Sequence, residues 1–333
     1  MQFSFNLFYL KLKKLFNDGK KDFYFIIAPP RSGSTVLEKV ISNSRDISLD
    51  LHEPFMEFGR RRGKLSVAYK NLFEQTNKTS GKILIKEMSH DILKKRVYKR
   101  LINLTDNLII LNIRDPLLCA ESRIVSILKA SHISLRYSTK KFILNLLQKQ
   151  LPKDTFKLYQ KKFLNRDSIK LNKMLLKLYA QYKGYKNWQE YIREYIKEKE
   201  YREFEDFLMS DNERFMGGFG WKEMSIIYDY LKKKDKRFLI LDNTMFRSCP
   251  KIYTKKICEK LKLNFSLKML NWNKGAYNYV GHIWYSSVNN SSYVKPPLEQ
   301  LPEIDKFPLS VQRYLQKVAI PIYNSLKVKE FRL

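Results

Sequence analysis

Phe23-Tyr24-Phe25-Ile26-Ile27 is a short, unbroken run of aromatic and branched residues, and Ala28-Pro29-Pro30-Arg31-Ser32-Gly33-Ser34-Thr35 follows it directly. From Thr35 the apolar residues of Val36-Leu37-Glu38-Lys39-Val40-Ile41 return at helical spacing. An apolar run of this kind reads as a parallel strand buried on both faces. The order is therefore strand, tight loop, helix. A helix start presents unpaired backbone N–H groups and partial positive charge, which suit a phosphate. Within the loop Gly33 lets the backbone approach an anion closely, Arg31 brings a formal charge, and the Ser34 and Thr35 hydroxyls can donate hydrogen bonds. Pro30 and Ser32 complete the candidate anion-binding set. An ordinary Pro/Ser-rich turn with a serine cap is the plainer alternative. It leaves unexplained why an Arg, a Gly and two hydroxyls coincide at one junction.

Set against the ATP-binding pattern GxxxxGK[ST], the loop has Ala28 for the first Gly and Ser34 for the Lys that bridges phosphates. Thr35 fills the magnesium-binding hydroxyl position, but no aspartate closes a second apolar run: Asp106 precedes its run and Asp115 follows an Arg. An ATP- and magnesium-dependent phosphotransferase is thereby weakened, though it stays as the alternative enzyme class.

Further strands are expected at Ile47–Leu51, Lys82–Lys86, Asn107–Ile113 and Arg237–Leu241, with helical patterns at Leu117–Lys129, Leu158–Leu178, Trp188–Met209 and Pro250–Leu261. A last helix runs over Val311–Leu326, interrupted at Pro321. Short branched strands alternating with helices predict an α/β protein, a P-loop-type parallel sheet flanked by helices. The pattern predicts one domain over 1–333, with a mostly helical insertion over 131–235 that shapes an acceptor pocket. Tyr137, Tyr182, Tyr185, Trp188 and Tyr191 are wall candidates there, or simply packing aromatics.

Arg114 in Ile110-Leu111-Asn112-Ile113-Arg114-Asp115-Pro116 stands at the C-terminal end of a strand, where open parallel sheets bind ligands. Ser122 lies about two helical turns on, so the two could flank one phosphate, while the adjacent Arg123 should point elsewhere. With the first loop, they suggest a ligand with two separate anionic ends.

On these residues the sequence resembles the sulfotransferases that use 3'-phosphoadenosine 5'-phosphosulfate (PAPS). Pro29-Pro30-Arg31-Ser32-Gly33-Ser34-Thr35 is similar to that family's 5'-phosphosulfate loop, and Arg114 through Ser122 to its 3'-phosphate segment. Lys86-Glu87-Met88-Ser89-His90 resembles a strand-end segment common in bacterial members. Asp242–Leu263, and Trp272, Gly275, Gly281, Trp284, Tyr285 and Val288, resemble their late strand, helix and tail. Lys274-Gly275 stands where another branch has a further 3'-phosphate element. The resemblance implies PAPS as cofactor, adenosine 3',5'-bisphosphate as product and no metal. The acceptor would be a hydroxyl or amine on a small molecule, a sugar or a lipid. A protein of the same fold that binds a nucleotide or lipid without catalysis is the reading outside enzymology.

Sulfuryl transfer needs cations and N–H groups on the leaving oxygen, and a base for a hydroxyl acceptor. Arg31 is the first cation candidate and Lys86 the second. Among the four histidines His90 ranks first as base, ahead of Glu53 and His52, with His282 and His132 behind.

Sixty-four Lys and Arg against thirty-three Asp and Glu give a formal charge of +31, a field that attracts polyanions or is simply solvated surface. No recognition element for a specific nucleic acid accompanies it. Cys119, Cys249 and Cys258 form neither a disulfide framework nor a metal-ligand pattern, which fits a reducing, cytoplasmic setting. Residues 1–16 read as an amphipathic helix, packed on the domain or lying on a membrane surface. Oligomeric state has no signature in the sequence.

Overall fold

The computed structural model describes residues 2–19, 21–59, 63–131, 135–148, 152–164, 168–210, 215, 219–275, 290–297 and 300–329. His132, Gly281, His282, Trp284, Tyr285 and Val288 lie outside the described residues.

Five parallel strands form one sheet: β1 Lys21–Ala28, β2 Ile47–His52, β3 Gly81–Met88, β4 Ile109–Ile113 and β5 Phe238–Asp242. Their spatial order is β2-β3-β1-β4-β5, and every neighbouring pair runs parallel. The protein is thus α/β, with helices flanking the sheet. Strands β1 and β4 are central and almost wholly buried, which is why both read as continuous apolar runs. Alternation along β1 still divides its side chains between two faces. Tyr24 and Ile26 share a buried core with Val36, Leu37, Val40 and Ile41, and with Tyr253 and Ile257 of the Pro250–Leu261 helix. Phe23 stacks instead on Phe16 of the first helix, Gln2–Asn17, with ring centroids 3.5 Å apart.

That first helix packs through Phe8 on Phe73 and Tyr9 on Tyr69, rings of the Leu65–Asn77 helix, while Leu7 and Leu10 face solvent. Among the described residues no helix is long and apolar enough to cross a membrane.

The chain divides into two compact units. The first, Met1–Pro116, Phe219–Glu299 and Val318–Leu333, holds the sheet. The second, Leu117–Gly218 and Gln300–Lys317, is helical throughout its described elements. Its centre is aromatic: Trp188 packs against Tyr191 and Phe207, and the Trp188 indole N–H donates to the Leu128 carbonyl at 3.0 Å. Trp188 and Tyr191 are therefore core residues and not pocket walls, whereas Tyr137 is largely in solvent.

Three helical expectations need correction. The Leu158–Leu178 pattern is two helices, Lys153–Leu164 and Ile169–Tyr182, and Ser168 before the second is extended (φ −136°, ψ 132°). The Trp188–Met209 pattern stops at Lys197 and resumes only as the short turns Arg202–Phe204 and Glu205–Met209. Tyr201 explains that break. It is fully buried, its N–H donates to the Lys306 carbonyl at 2.7 Å and its hydroxyl to Glu121 at 2.9 Å. Tertiary contacts thus hold this residue out of the helical ladder. In the last helix the interruption precedes Pro321, as a widened π turn over Leu315–Ala319 between Leu309–Tyr314 and Ile320–Lys327. A proline ring clashes with the carbonyl four residues earlier, so the adjustment belongs in the preceding turn.

Candidate functional site

In this sheet order the chain leaves β1 toward the β2–β3 side, and β5 lies on the opposite side of β4. Adjacent strands with connections in opposite directions leave a crevice beyond their C-terminal ends, where such sheets take ligands. The loop after β1 and Arg114 after β4 both stand there.

The loop has an unusual backbone. Arg31 (φ 68°) and Gly33 (φ 83°, ψ 11°) are both left-handed, and the Ser34–Ser42 helix opens immediately after. Such a φ in a non-glycine residue costs on the order of 1–2 kcal/mol and needs a surrounding structure to hold it. Two amide side chains provide that hold. Asn112 Nδ2, from β4, donates to the Ser32 carbonyl at 3.1 Å and to Ser32 Oγ at 3.0 Å. Asn243 Nδ2, just past β5, donates to the Gly33 carbonyl and to Asn112 Oδ1, both at 3.3 Å. Gly33 must be glycine on two counts, because a Cβ there would also lie 2.2 Å from Asn243 Oδ1. Ser32 and Ser34 are buried, Arg31 and Thr35 partly exposed, and Pro30 is packed beneath. Arg114 is nearly buried, and its Nη1 donates to the Arg31 carbonyl at 3.4 Å. Neither asparagine has a spacing signal in the sequence, and only the sheet order brings them to the loop.

The end of β3 borders the same loop, since Met88 is the register partner of Ala28. Ser89 Oγ donates to the Gly220 carbonyl at 2.7 Å. Gly220 (φ 74°) also sits so close to Pro30 that a Cβ would lie 2.7 Å from the proline Cδ. The next residue, His90, has Nε2 at 3.4 Å from the buried carboxylate oxygen Asp91 Oδ1.

A buried charge network lies behind this edge. Lys86 is fully buried and donates through Nζ to Glu53, which itself is left-handed (φ 49°) and takes its backbone register from the Lys86 carbonyl at 2.8 Å. His52 Nε2 is 3.4 Å from Glu53 Oε1, and His52 Nδ1 meets Glu38 Oε2 at 2.6 Å. Burial raises the Glu38 carboxyl to about 8, and burial with the neighbouring Glu38 does the same for Asp50. Burial and the Lys86 charge push His52 down to about 3. Glu87 is raised well above its ordinary range by burial and by Asp91, with one oxygen accepting from the Phe55 N–H at 2.8 Å.

These contacts sort the sequence candidates. His52, Glu53 and Lys86 meet in one buried polar chain, in which Lys86 and Glu53 form the ion pair. Lys86 is thereby fully buried with Glu53 as its counter-ion. His90 faces Asp91 instead. Lys274 and Gly275 are exposed, with no atom within 4 Å of a Cβ at Gly275. Ser122 is part-buried on the Pro116–Ala130 helix, where its carbonyl accepts from Ser126 Oγ at 2.7 Å. Arg123 turns away as expected and donates to the Phe215 carbonyl at 3.2 Å.

No protein-family model matches this chain, and no curated protein matches its sequence.

Proposed function

We propose that the protein is a sulfotransferase that moves the sulfuryl group of PAPS to a hydroxyl or amine of a small-molecule, sugar or lipid acceptor. The observation that carries this reading is the left-handed Arg31–Gly33 loop at the strand switch, with the Arg114 guanidinium against the Arg31 carbonyl. Two arginines at one crevice suit a ligand with two anionic ends. The absence of a lysine at Ser34 disfavours ATP, whose phosphates that residue bridges in nucleotide triphosphate enzymes.

In this reading the acceptor oxygen attacks sulfur in line. The bond from sulfur to the bridging phosphate oxygen breaks, and the electron pair goes to adenosine 3',5'-bisphosphate. Arg31 and the N–H groups opening the Ser34–Ser42 helix stabilise that developing charge. His90 takes the acceptor proton, with Asp91 orienting its ring. Arg114 reads the 3'-phosphate.

Titration calorimetry tests this. Adenosine 3',5'-bisphosphate should bind in the presence of a chelator, and Arg114→Ala should lose about 2–5 kcal/mol toward it, and much less toward adenosine 5'-phosphate. Binding of ATP with magnesium alone would move the protein to the phosphotransferases. Tight binding of the bisphosphate with no transfer across an acceptor screen with labelled PAPS would make it a non-catalytic binding protein.

A further inference from the structure

Arg247 stands on the short Asn243–Ser248 helix that follows β5. Its Nε donates to Asn243 Oδ1 at 2.8 Å, and Asn243 Nδ2 donates to the Gly33 carbonyl at 3.3 Å. One side chain thus ties this guanidinium to the loop that precedes the Ser34–Ser42 helix. Among the described residues, Nη1 and Nη2 of Arg247 have no hydrogen-bond acceptor and no carboxylate forms an ion pair with it. The side chain is part-buried, and Arg114 lies near enough for its charge to be felt. Burial first, and that charge second, push the Arg247 pKa down to about 10.

Arg114 reaches the Arg31 carbonyl and Arg247 is tied through Asn243 to the Gly33 carbonyl, so the fold sets two guanidinium groups on one loop, one of them without a matching acid, against desolvation and mutual repulsion. Structural arginines in such positions are paired. An anion that enters the crevice relieves the strain, and a guanidinium anchored through Nε still presents its terminal nitrogens to phosphate oxygens.

Building on the sulfotransferase reading, we infer that Arg247 is a specificity-determining arginine that, with Arg114, makes the crevice at the ends of β1, β4 and β5 select nucleotides bearing a second phosphate group. A nucleoside monophosphate leaves this pair under-neutralised.

The test compares wild type, Arg247→Met and Arg247→Lys, by calorimetry and thermal unfolding, with adenosine 3',5'-bisphosphate, adenosine 5'-phosphate and inorganic pyrophosphate. Without ligand, Arg247→Met should unfold at the wild-type temperature or higher, because a repulsion is gone. Its affinity for the bisphosphate should fall about 10- to 100-fold, as expected for a lost charged hydrogen bond, with a smaller change for the monophosphate. Arg247→Lys, which keeps the charge, should recover part of the loss and covers the case in which the Met variant fails to fold. Wild-type affinity for every probe in Arg247→Met overturns the inference. So does an equal loss toward mono- and bisphosphate. If wild type binds the bisphosphate independently of Arg247, the transferase reading survives without this residue. If only pyrophosphate binds, and does so through Arg247, the anion role stands and the transferase reading falls.

Discussion

His52 Nδ1 lies 2.6 Å from Glu38 Oε2, and both side chains are withdrawn from solvent. The contact joins β2 to the helix that follows the Arg31–Gly33 loop, so the protonation of this pair is felt directly behind the candidate site. With His52 pushed down to about 3 the imidazole is neutral near pH 7, and with Glu38 raised to about 8 the carboxyl keeps its proton there. Asp50, also raised to about 8, extends the pair into a short proton-holding chain.

Stability should therefore fall as pH rises from about 6.5 to 8. Unfolded carboxyls release their protons near pH 4, whereas folded Glu38 and Asp50 hold theirs up to about 8. Across that interval the folded state binds more protons, which makes the slope of stability against pH negative. His52 acts in the opposite sense, but only below about 6.5, the ordinary histidine value, down to its folded value of about 3. Unfolding free energies from urea titrations at pH 6.5 and 8.0 should differ by at most about 2 kcal/mol for each proton held, and Glu38→Gln should reduce the difference. Parallel pH profiles for the two proteins would show that Glu38 is ionised in the folded state.

Lys86 and Glu53 form the buried ion pair next along, and breaking it from one side should be severe. Lys86→Met leaves a carboxylate inside the protein without its counter-ion, a change worth about 3–5 kcal/mol. The double variant Lys86→Met, Glu53→Gln should be less destabilised than Lys86→Met alone, because the stranded charge is gone. Denaturant titration of the three proteins decides this. A Lys86→Met protein of wild-type stability that binds PAPS but no longer turns it over would put Lys86 among the ligand-facing cations.

All five strands fall where the apolar runs put them, and so does the Pro250–Leu261 helix, because burial on both faces leaves a strong local pattern. The loop between β1 and the Ser34–Ser42 helix was legible for the same reason, standing between two well-marked elements. What stayed hidden depends on neighbours far away in sequence. Asn112 looks like a polar interruption of a strand until β1 lies beside it. Glu38 looks like any charge on a helix until β2 brings His52 to it. Arg247 carried no motif at all, and only the Asn243 link to Gly33 gives it a place. The break before Tyr201 was invisible because its cause is a hydrogen bond to Lys306 across a hundred residues of chain.

His90 should be the general base. It follows directly on Ser89, which is fixed through Gly220 beside Pro30, so it borders the Arg31–Gly33 loop. Its side chain is 24% exposed, with Nδ1 buried and Nε2 beside Asp91, whereas that of His52 is 1% exposed and engaged with Glu38. Histidine is the side chain most often used as a general base near neutrality. His90→Ala should therefore cut turnover with labelled PAPS by about 10²–10⁴-fold, and leave adenosine 3',5'-bisphosphate binding close to wild type. Asp91, whose oxygen is 3.4 Å from His90 Nε2, should then act by orienting the ring. Asp91→Asn should give a smaller loss and displace the acidic limb of the kcat/KM profile, which a purely structural residue would not do. If His90→Ala turns over at the wild-type rate while a folded Glu53→Ala is inactive, the base is Glu53. If both remain active, proton removal from the acceptor needs neither, and an amine acceptor, which attacks without a strong base, becomes the expected substrate.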